Sequence, residues 1–311
     1  MIISASYKTD IPTFYGDWFM QRLRAGFCKM VNPYSRQILR VDLRRLAVDG
    51  FIFWTKNLGP FLKHLPEVQE RGYPFIVQYT INGYPREVET SVVDASQSVA
   101  SASALREKFG SHAMVWRYDT ILFSSLTPRE FHVENFGRLA RALSGTADEV
   151  IVSFAQLYKK TKRNLEAAAQ ENGFTWSNPP LKEKRELIRE LAAIARTYGF
   201  QLSVCSQRDL IVPDARDARC VDARRLELIG GNQIKAELKG NRPECGCFAS
   251  RDIGEYDTCP HGCVYCYAVQ NRRLALRRFH QHNPASEFLF EPPDAVESSE
   301  TKKTTLPLFR T

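Results

Sequence analysis

The chain has 311 residues, 43% hydrophobic and 25% charged. This is normal for a globular protein and enough to bury a sizeable core. No apolar run is long enough to span a bilayer. The start, Met1-Ile2-Ile3-Ser4-Ala5-Ser6, has no basic leader before its apolar run, so a cytoplasmic protein without a secretion signal is expected. A net charge of +8 admits nucleic acid or another polyanion as partner, but a solvated basic face is the better explanation of it.

Short apolar runs alternate with longer amphipathic segments along the chain. Ile2–Ser6 reads as a strand, and Gly16–Gly26 as a helix closed by glycine. Gly50–Thr55 is a buried strand, and a helix over Pro60–Arg71 ends at Gly72. Pro74–Thr80 is the next strand, Val92–Phe109 the next helix, and Met114–Tyr118 the strand after it. Thr127-Pro128-Arg129-Glu130 offers an N-cap, an N1 proline and an acid, opening a helix to Leu143. Glu149–Phe154 is a strand, and Lys159–Pro180 a less regular stretch, in part a helix or a lid. Leu187, Ile188, Leu191, Ile194 and Ala195 recur at helical spacing within Leu181–Tyr198, which Gly199 ends. Phe200–Cys205 is the sixth strand.

Strands that alternate with helical segments imply an α/β fold with a parallel sheet. The expected architecture is a (β/α) barrel-like domain over residues 1–210, a six-stranded partial barrel. A cysteine-rich iron–sulfur segment over 211–282 packs at its mouth, and a polar, disordered tail covers 283–311. Neither a dinucleotide fingerprint nor a phosphate loop is present. The carboxy ends of barrel strands carry active sites. Here those ends hold Ser4, Ser6, Thr9 and Asp10; Thr55, Lys56 and Asn57; Gln78 and Thr80; Arg117 and Asp119; Ser153; and Cys205. Any one of them is an ordinary cap or turn residue, but a ring of them suggests a polar pocket.

Of eight cysteines, five fall between Cys245 and Cys266, and such crowding points to metal rather than disulfides. Cys259, Cys263 and Cys266 stand in a Cys-x3-Cys-x2-Cys spacing. A cubane cluster normally takes four thiolates, so three leave one iron open. The alternative is zinc, with His261 or with Cys245 and Cys247, although only Cys263 and Cys266 form the Cys-x2-Cys pair usual in zinc sites. Cys205, Cys220, Cys245 and Cys247 are candidates for a second cluster or a zinc ion. One of them is also a candidate fourth ligand to the first cluster, and Cys205 and Cys220 are equally read as small buried residues. Cys28 stands alone and reads as structural. Arg272, Arg273, Arg277 and Arg278 lie on an expected helix, either for an anionic partner or as a solvated face.

The Cys-x3-Cys-x2-Cys spacing, with Tyr265 before the last cysteine, resembles the cluster motif of radical S-adenosylmethionine (SAM) enzymes. In those enzymes the open iron of a 4Fe–4S cluster chelates the cofactor, whose reductive cleavage releases a 5′-deoxyadenosyl radical. A wider likeness runs through Thr9-Asp10-Ile11-Pro12-Thr13-Phe14-Tyr15, Asn32-Pro33, Phe53-Trp54-Thr55-Lys56-Asn57, Trp116-Arg117-Tyr118-Asp119 and Ile253-Gly254-Glu255-Tyr256-Asp257-Thr258-Cys259. By these segments, from Ile2 to His282, the chain resembles bacterial domain-of-unknown-function family eighteen forty-eight. Two departures from radical SAM enzymes stand out. The cysteine loop follows the last strand rather than the first, and Phe-Trp-Thr-Lys-Asn replaces the usual glycine-glycine-glutamate segment.

The resemblance implies a 4Fe–4S enzyme reduced by a flavodoxin or ferredoxin. SAM would be its cofactor, and its substrate stays unidentified. By their place at the strand ends, Asp119, Arg117 and Lys56 are the catalytic candidates and Asp10 and Asn57, with Tyr265 of the cysteine loop, the cofactor-binding ones. A metal-stabilised nucleic-acid-binding protein and a two-cluster electron carrier are the alternatives.

Overall fold

The computed structural model describes residues 1–32, 35–240, 242 and 244–292. Pro33 of the quoted segments and the expected tail from residue 293 onward lie outside these residues. The chain opens with β1 (Ile2–Ala5), a short α1 (Ile11–Phe14) and α2 (Gly16–Ala25). Gly26 closes α2 in the left-handed conformation at φ 78°, as its lack of Cβ allows. A hairpin of β2 (Phe27–Val31) and β3 (Ile38–Asp42) follows, with Cys28 buried in it. Then come β4 (Gly50–Thr55), α3 (Leu65–Glu70), β5 (Phe75–Thr80), α4 (Ala95–Phe109), β6 (Met114–Ile121) and β7 (Phe123–Ser124). They are followed by α5 (Arg129–Leu143), β8 (Glu149–Phe154), α6 (Lys159–Asn172), β9 (Trp176–Ser177), α7 (Leu181–Thr197) and β10 (Gln201–Val204). The last elements are β11 (Arg216–Asp217), α8 (Ala223–Gly230), β12 (Ser250–Asp252) and α9 (Arg272–His280).

The principal sheet has eight strands in the order β11-β10-β8-β6-β5-β4-β1-β12, and every pairing in it is parallel. All six expected strands are in it. The expected number, six, is corrected to eight by β11 and β12. These are only two and three residues long, too short to stand out as apolar runs. β12 pairs with β1, so the cysteine loop that follows β12 leaves the sheet beside the first strand.

Both faces of the sheet are buried, which is why its strands are near-continuous apolar runs. One face, with Phe53, Val77, Trp116 and Val152, packs under the helices against Phe19, Phe61, Phe136 and Leu191. The other gathers Ile2, Ile52, Ile76, Val115 and Ile151 with Cys205, Cys220 and Phe248. In α7, Leu187, Ile188 and Leu191 are fully buried, and each contributes about 1.5–3 kcal/mol relative to exposure.

Three local expectations differ. Pro60–Arg71 breaks into a 3-10 turn over Gly59–Phe61 and the short α3. Thr127 does not cap α5, because its hydroxyl donates to Leu122 O at 2.7 Å within the preceding turn, and Pro128 occupies the cap. Residues 283–292 are packed rather than loose: Trp18 Nε1 donates to Ser286 O (3.0 Å), Lys29 pairs with Glu287 (2.9 Å) and Leu289 is buried. Among the described residues no helix is long and apolar enough to cross a membrane.

Candidate functional site

Two buried aspartates fasten the loops at the carboxy ends of the strands. Asp10 caps α1 by accepting from Thr13 N through Oδ1 at 2.9 Å. Its Oδ2 accepts from Lys56 N at 2.7 Å and lies 2.8 Å from His261 Nε2. One carboxylate therefore joins the loops after β1 and β4 to the cysteine loop. Asp252, on β12, accepts from Ser4 Oγ and Tyr7 N through Oδ2, both at 2.9 Å. Its Oδ1 accepts from Ser6 Oγ at 2.8 Å and Gly254 N at 2.9 Å, with Lys8 Nζ 3.7 Å away. Charge-assisted bonds of this kind are stronger than neutral ones.

The cysteine loop is seated on the segment that follows β5. Val264 N donates to Val88 O (3.1 Å), Ser91 N to His261 O (2.8 Å) and Thr90 Oγ1 to Gly262 O (3.2 Å). Glu89 and Cys263 form an antiparallel bridge. Tyr15 OH donates to Thr258 O at 2.5 Å. Gly262 has φ 75°, and a Cβ there would meet Arg272 Nε at 2.7 Å, so any other residue would be strained at this turn. Arg272 donates to Ser91 Oγ at 2.5 Å and Arg278 to Tyr256 O at 2.8 Å. These two arginines of α9 brace the loop from behind instead of forming a free basic face. Arg163 and Asn164 of α6 reach Gln270 O (2.7 Å) and Val269 O (3.3 Å), so the irregular 159–180 stretch packs onto the same loop.

Cys259, Cys263 and Cys266 are half-buried. Burial pushes all three thiols up, and they are close enough to influence one another: Cys266 raises Cys259, and both raise Cys263. His261 Nδ1 is buried without a hydrogen-bond partner. Among the described residues no three His, Cys, Asp or Glu side chains close around a point as a single bound ion requires. A cubane cluster is larger and takes each thiolate at a separate corner. Three soft thiols on one clamped loop fit it as donors.

Lys56 lies beside this loop. Its Nζ is 2.8 Å from Glu89 Oε1 and 5.6 Å from the centre of the Tyr265 ring. Glu89 is 2% exposed and also accepts from Asn82 Nδ2 (2.9 Å) and from Tyr265 OH. Burial opposes both charges, yet their attraction outweighs it, so Lys56 is raised and Glu89 lowered; Cys263 adds to the pull on Lys56. Asn57, expected beside the cofactor, is spent locally: its Oδ1 accepts from Gly59 N at 3.1 Å to shape the turn after β4. Tyr265 is held at the loop by Glu89 and Asn82.

Arg117 and Asp119, two apart on β6, form a buried pair. Asp119 also accepts from Ser153 Oγ, and its backbone N donates to Asn82 Oδ1 at 3.0 Å. Burial disfavours both charges, but the pairing prevails, leaving Asp119 lowered and Arg117 raised. Arg117 further donates to Gln78 Oε1 (3.2 Å) and Cys220 Sγ (3.0 Å), and stands 5.2 Å over the Trp54 ring. Cys205, Cys220, Cys245 and Cys247 are not brought to the Cys259 loop. They form their own group, with Cys205 and Cys220 sulfurs 3.4 Å apart.

Sequence reading missed Glu89, Asn82, Asp252 and Lys8. Asn82-Gly83 marks a turn after β5, which signals that a loop returns there. Glu89 and Asp252 carry no local sign of burial, because their partners are remote in sequence.

Residues 2–268 match the family described as Domain of unknown function (DUF1848). The chain belongs to this family. The DUF1848 match takes in the strands of the principal sheet, Asp10, Lys56, Glu89, Arg117, Asp119 and both groups of cysteines, and stops before α9. No curated protein and no protein of solved structure matches the chain.

Proposed function

We propose that this DUF1848 protein is an iron–sulfur enzyme of radical-SAM-like type, with a 4Fe–4S cluster on Cys259, Cys263 and Cys266. The observation that carries this reading is the seat of the cysteine loop. Three thiols are clamped at the carboxy ends of parallel strands, where α/β enzymes place their chemistry, beside the buried Lys56–Glu89 pair and the polar side chains of Asp10 and Asn82. When bound, such a cluster supplies the electron for reductive cleavage of SAM at its open iron, drawn from a flavodoxin- or ferredoxin-type reductant.

The chain's own residues do the positioning. Lys56, kept charged by Glu89, offsets the negative charge of thiolates at Cys263 and Cys266. Asp10 fixes the His261 ring and with it the middle of the loop. Asn82 and Tyr265 orient Glu89. Of the Arg117–Asp119 pair, the less buried Asp119 is the group that orients a polar substrate, while Arg117 is spent on Asp119, Gln78 and Cys220. Asp119, already held by Arg117 and Ser153, stays ionised and positions groups rather than giving up a proton.

We read the sheet as a barrel left open between β11 and β12. Support comes from one buried cluster that spans its inner face, and from Phe248 N donating to Val221 O (3.0 Å) across its two ends.

The test is electron paramagnetic resonance on anaerobically purified, dithionite-reduced protein with and without SAM. A reduced 4Fe–4S signal that shifts on adding SAM is expected. A signal indifferent to SAM, or protein isolated without iron, overturns the proposal.

A further inference from the structure

The geometry points to a second metal centre, formed by the thiolates of Cys205, Cys220, Cys245 and Cys247, that takes either a zinc ion or an iron–sulfur cluster. It does not rest on the cluster proposed at Cys259. These cysteines come from three separate places: the end of β10, the segment after β11, and the stretch before β12. Folding strings them together. Cys205 and Cys220 sulfurs are 3.4 Å apart, and Cys247 lies close enough to Cys220 and to Cys245 for its thiol to be shifted by both. Tetrahedral zinc with bonds of about 2.3 Å sets its sulfurs about 3.8 Å apart, so the first contact is already near ligand spacing. The thiols form a string, and no three of them surround one point as the chain stands, so a metal is held only once the string closes around it. Cys245, the half-buried member, is the one with room to turn inward on binding.

The surroundings are built for negative charge. Three N–H groups donate to the sulfurs: Arg117 to Cys220 (3.0 Å), Arg242 to Cys205 (3.3 Å) and Val221 N to Cys247 (3.3 Å). A neutral thiol is a weak acceptor, whereas metal-bound thiolates are commonly steadied by such donors. Asp119 balances Arg117. Arg242 pairs with no carboxylate of its own among the described residues: it donates to Gln156 Oε1 and Cys205 Sγ, both at 3.3 Å, and feels the charge of Asp119, which Arg117 already holds. A partly buried guanidinium needs an anion, and four thiolates around a divalent ion or a cubane carry net negative charge. Metal binding expels the thiol protons that burial otherwise retains. A lone disulfide between Cys205 and Cys220 would leave the contacts of Cys245 and Cys247 without a purpose.

The experiment uses the full chain with Cys259→Ser, Cys263→Ser and Cys266→Ser, so the fate of the first centre does not enter. Zinc, iron and acid-labile sulfide are measured after anaerobic purification. About one zinc, or about four irons with sulfide, per chain is expected, falling to background when Cys220→Ala and Cys247→Ala are added. Either metal supports the site and tells its class. A folded chain with no metal above background, metal retained after the added substitutions, or a Cys205–Cys220 disulfide in the isolated protein overturns it. Should the combined variant not fold, Cys245→Ser in the otherwise unaltered chain is compared with wild type. A loss of one such centre per chain is expected, and an unchanged metal content is the contrary result.

Discussion

Replacing Asp252 by alanine deletes one carboxylate and strands five groups at once. Ser4 Oγ, Ser6 Oγ, Tyr7 N and Gly254 N lose their acceptor at 2.8–2.9 Å, and Lys8 loses its counter-charge at 3.7 Å. Two features soften the loss. Ser4 Oγ still accepts from Trp54 Nε1 (3.0 Å), and Lys8 keeps Gly254 O (3.3 Å) and the Tyr256 ring (5.4 Å). Removing one partner from a buried charged network costs about 3–5 kcal/mol, and with that partial compensation about 4 kcal/mol is expected. At about 2 °C per kcal/mol for a chain of this size, the melting temperature falls by about 8 °C. Asp252→Asn keeps one acceptor oxygen and should lose roughly half as much. Thermal unfolding followed by circular dichroism reads all three proteins. A drop below about 2 °C for the alanine variant would refute the claim that this carboxylate holds the β1 loop against β12.

Lys56→Met leaves Glu89 buried with only Asn82 and Tyr265 to support it, and should cost about 3 kcal/mol in denaturant unfolding, partly restored in Lys56→Met with Glu89→Gln; equal stability of both variants and wild type would contradict the pairing. His132, buried between Tyr118 OH and Leu122 O (both 3.0 Å), is pushed down to about 4 by burial. Its unfolded counterpart titrates near 6.5, so the unfolded chain binds more protons between pH 4 and 6.5, and stability falls as pH drops through that window. The loss approaches about 3 kcal/mol, and His132→Phe should remove that contribution and leave the shallower slope carried by His64 and His282, which burial also lowers. Cys263→Ala should abolish both the SAM-dependent resonance shift and deoxyadenosine formation, with chromatography of reduced incubations as the readout; deoxyadenosine at the wild-type level would exclude Cys263 as a ligand.

The alternation of apolar runs with helical segments was enough to read an α/β chain with a parallel sheet, because each signal lies within one element. Gly50–Thr55 and Glu149–Phe154 are mostly apolar since both sheet faces are covered, and Leu187, Ile188 and Leu191 repeat at the helical period since one face of α7 is buried. The three closely spaced cysteines were equally legible, as one loop holds them. Strand number was not: β11 and β12 are too short to carry a pattern, and they exist because their neighbours β10 and β1 offer free edges. Nor were the partners of Lys56 and of Cys205. Glu89 and Cys220 reach them only through the strand order. Nothing adjacent to Asp252 marks it as the acceptor of four bonds, because only Gly254 N is local and the other three donors arrive from β1 and the loop after it, some 250 residues away. Local patterns report the period of a chain's burial. Which buried charge meets which is settled by pairings between segments distant in sequence, where a carboxylate or thiol can be desolvated only if the fold delivers its partner.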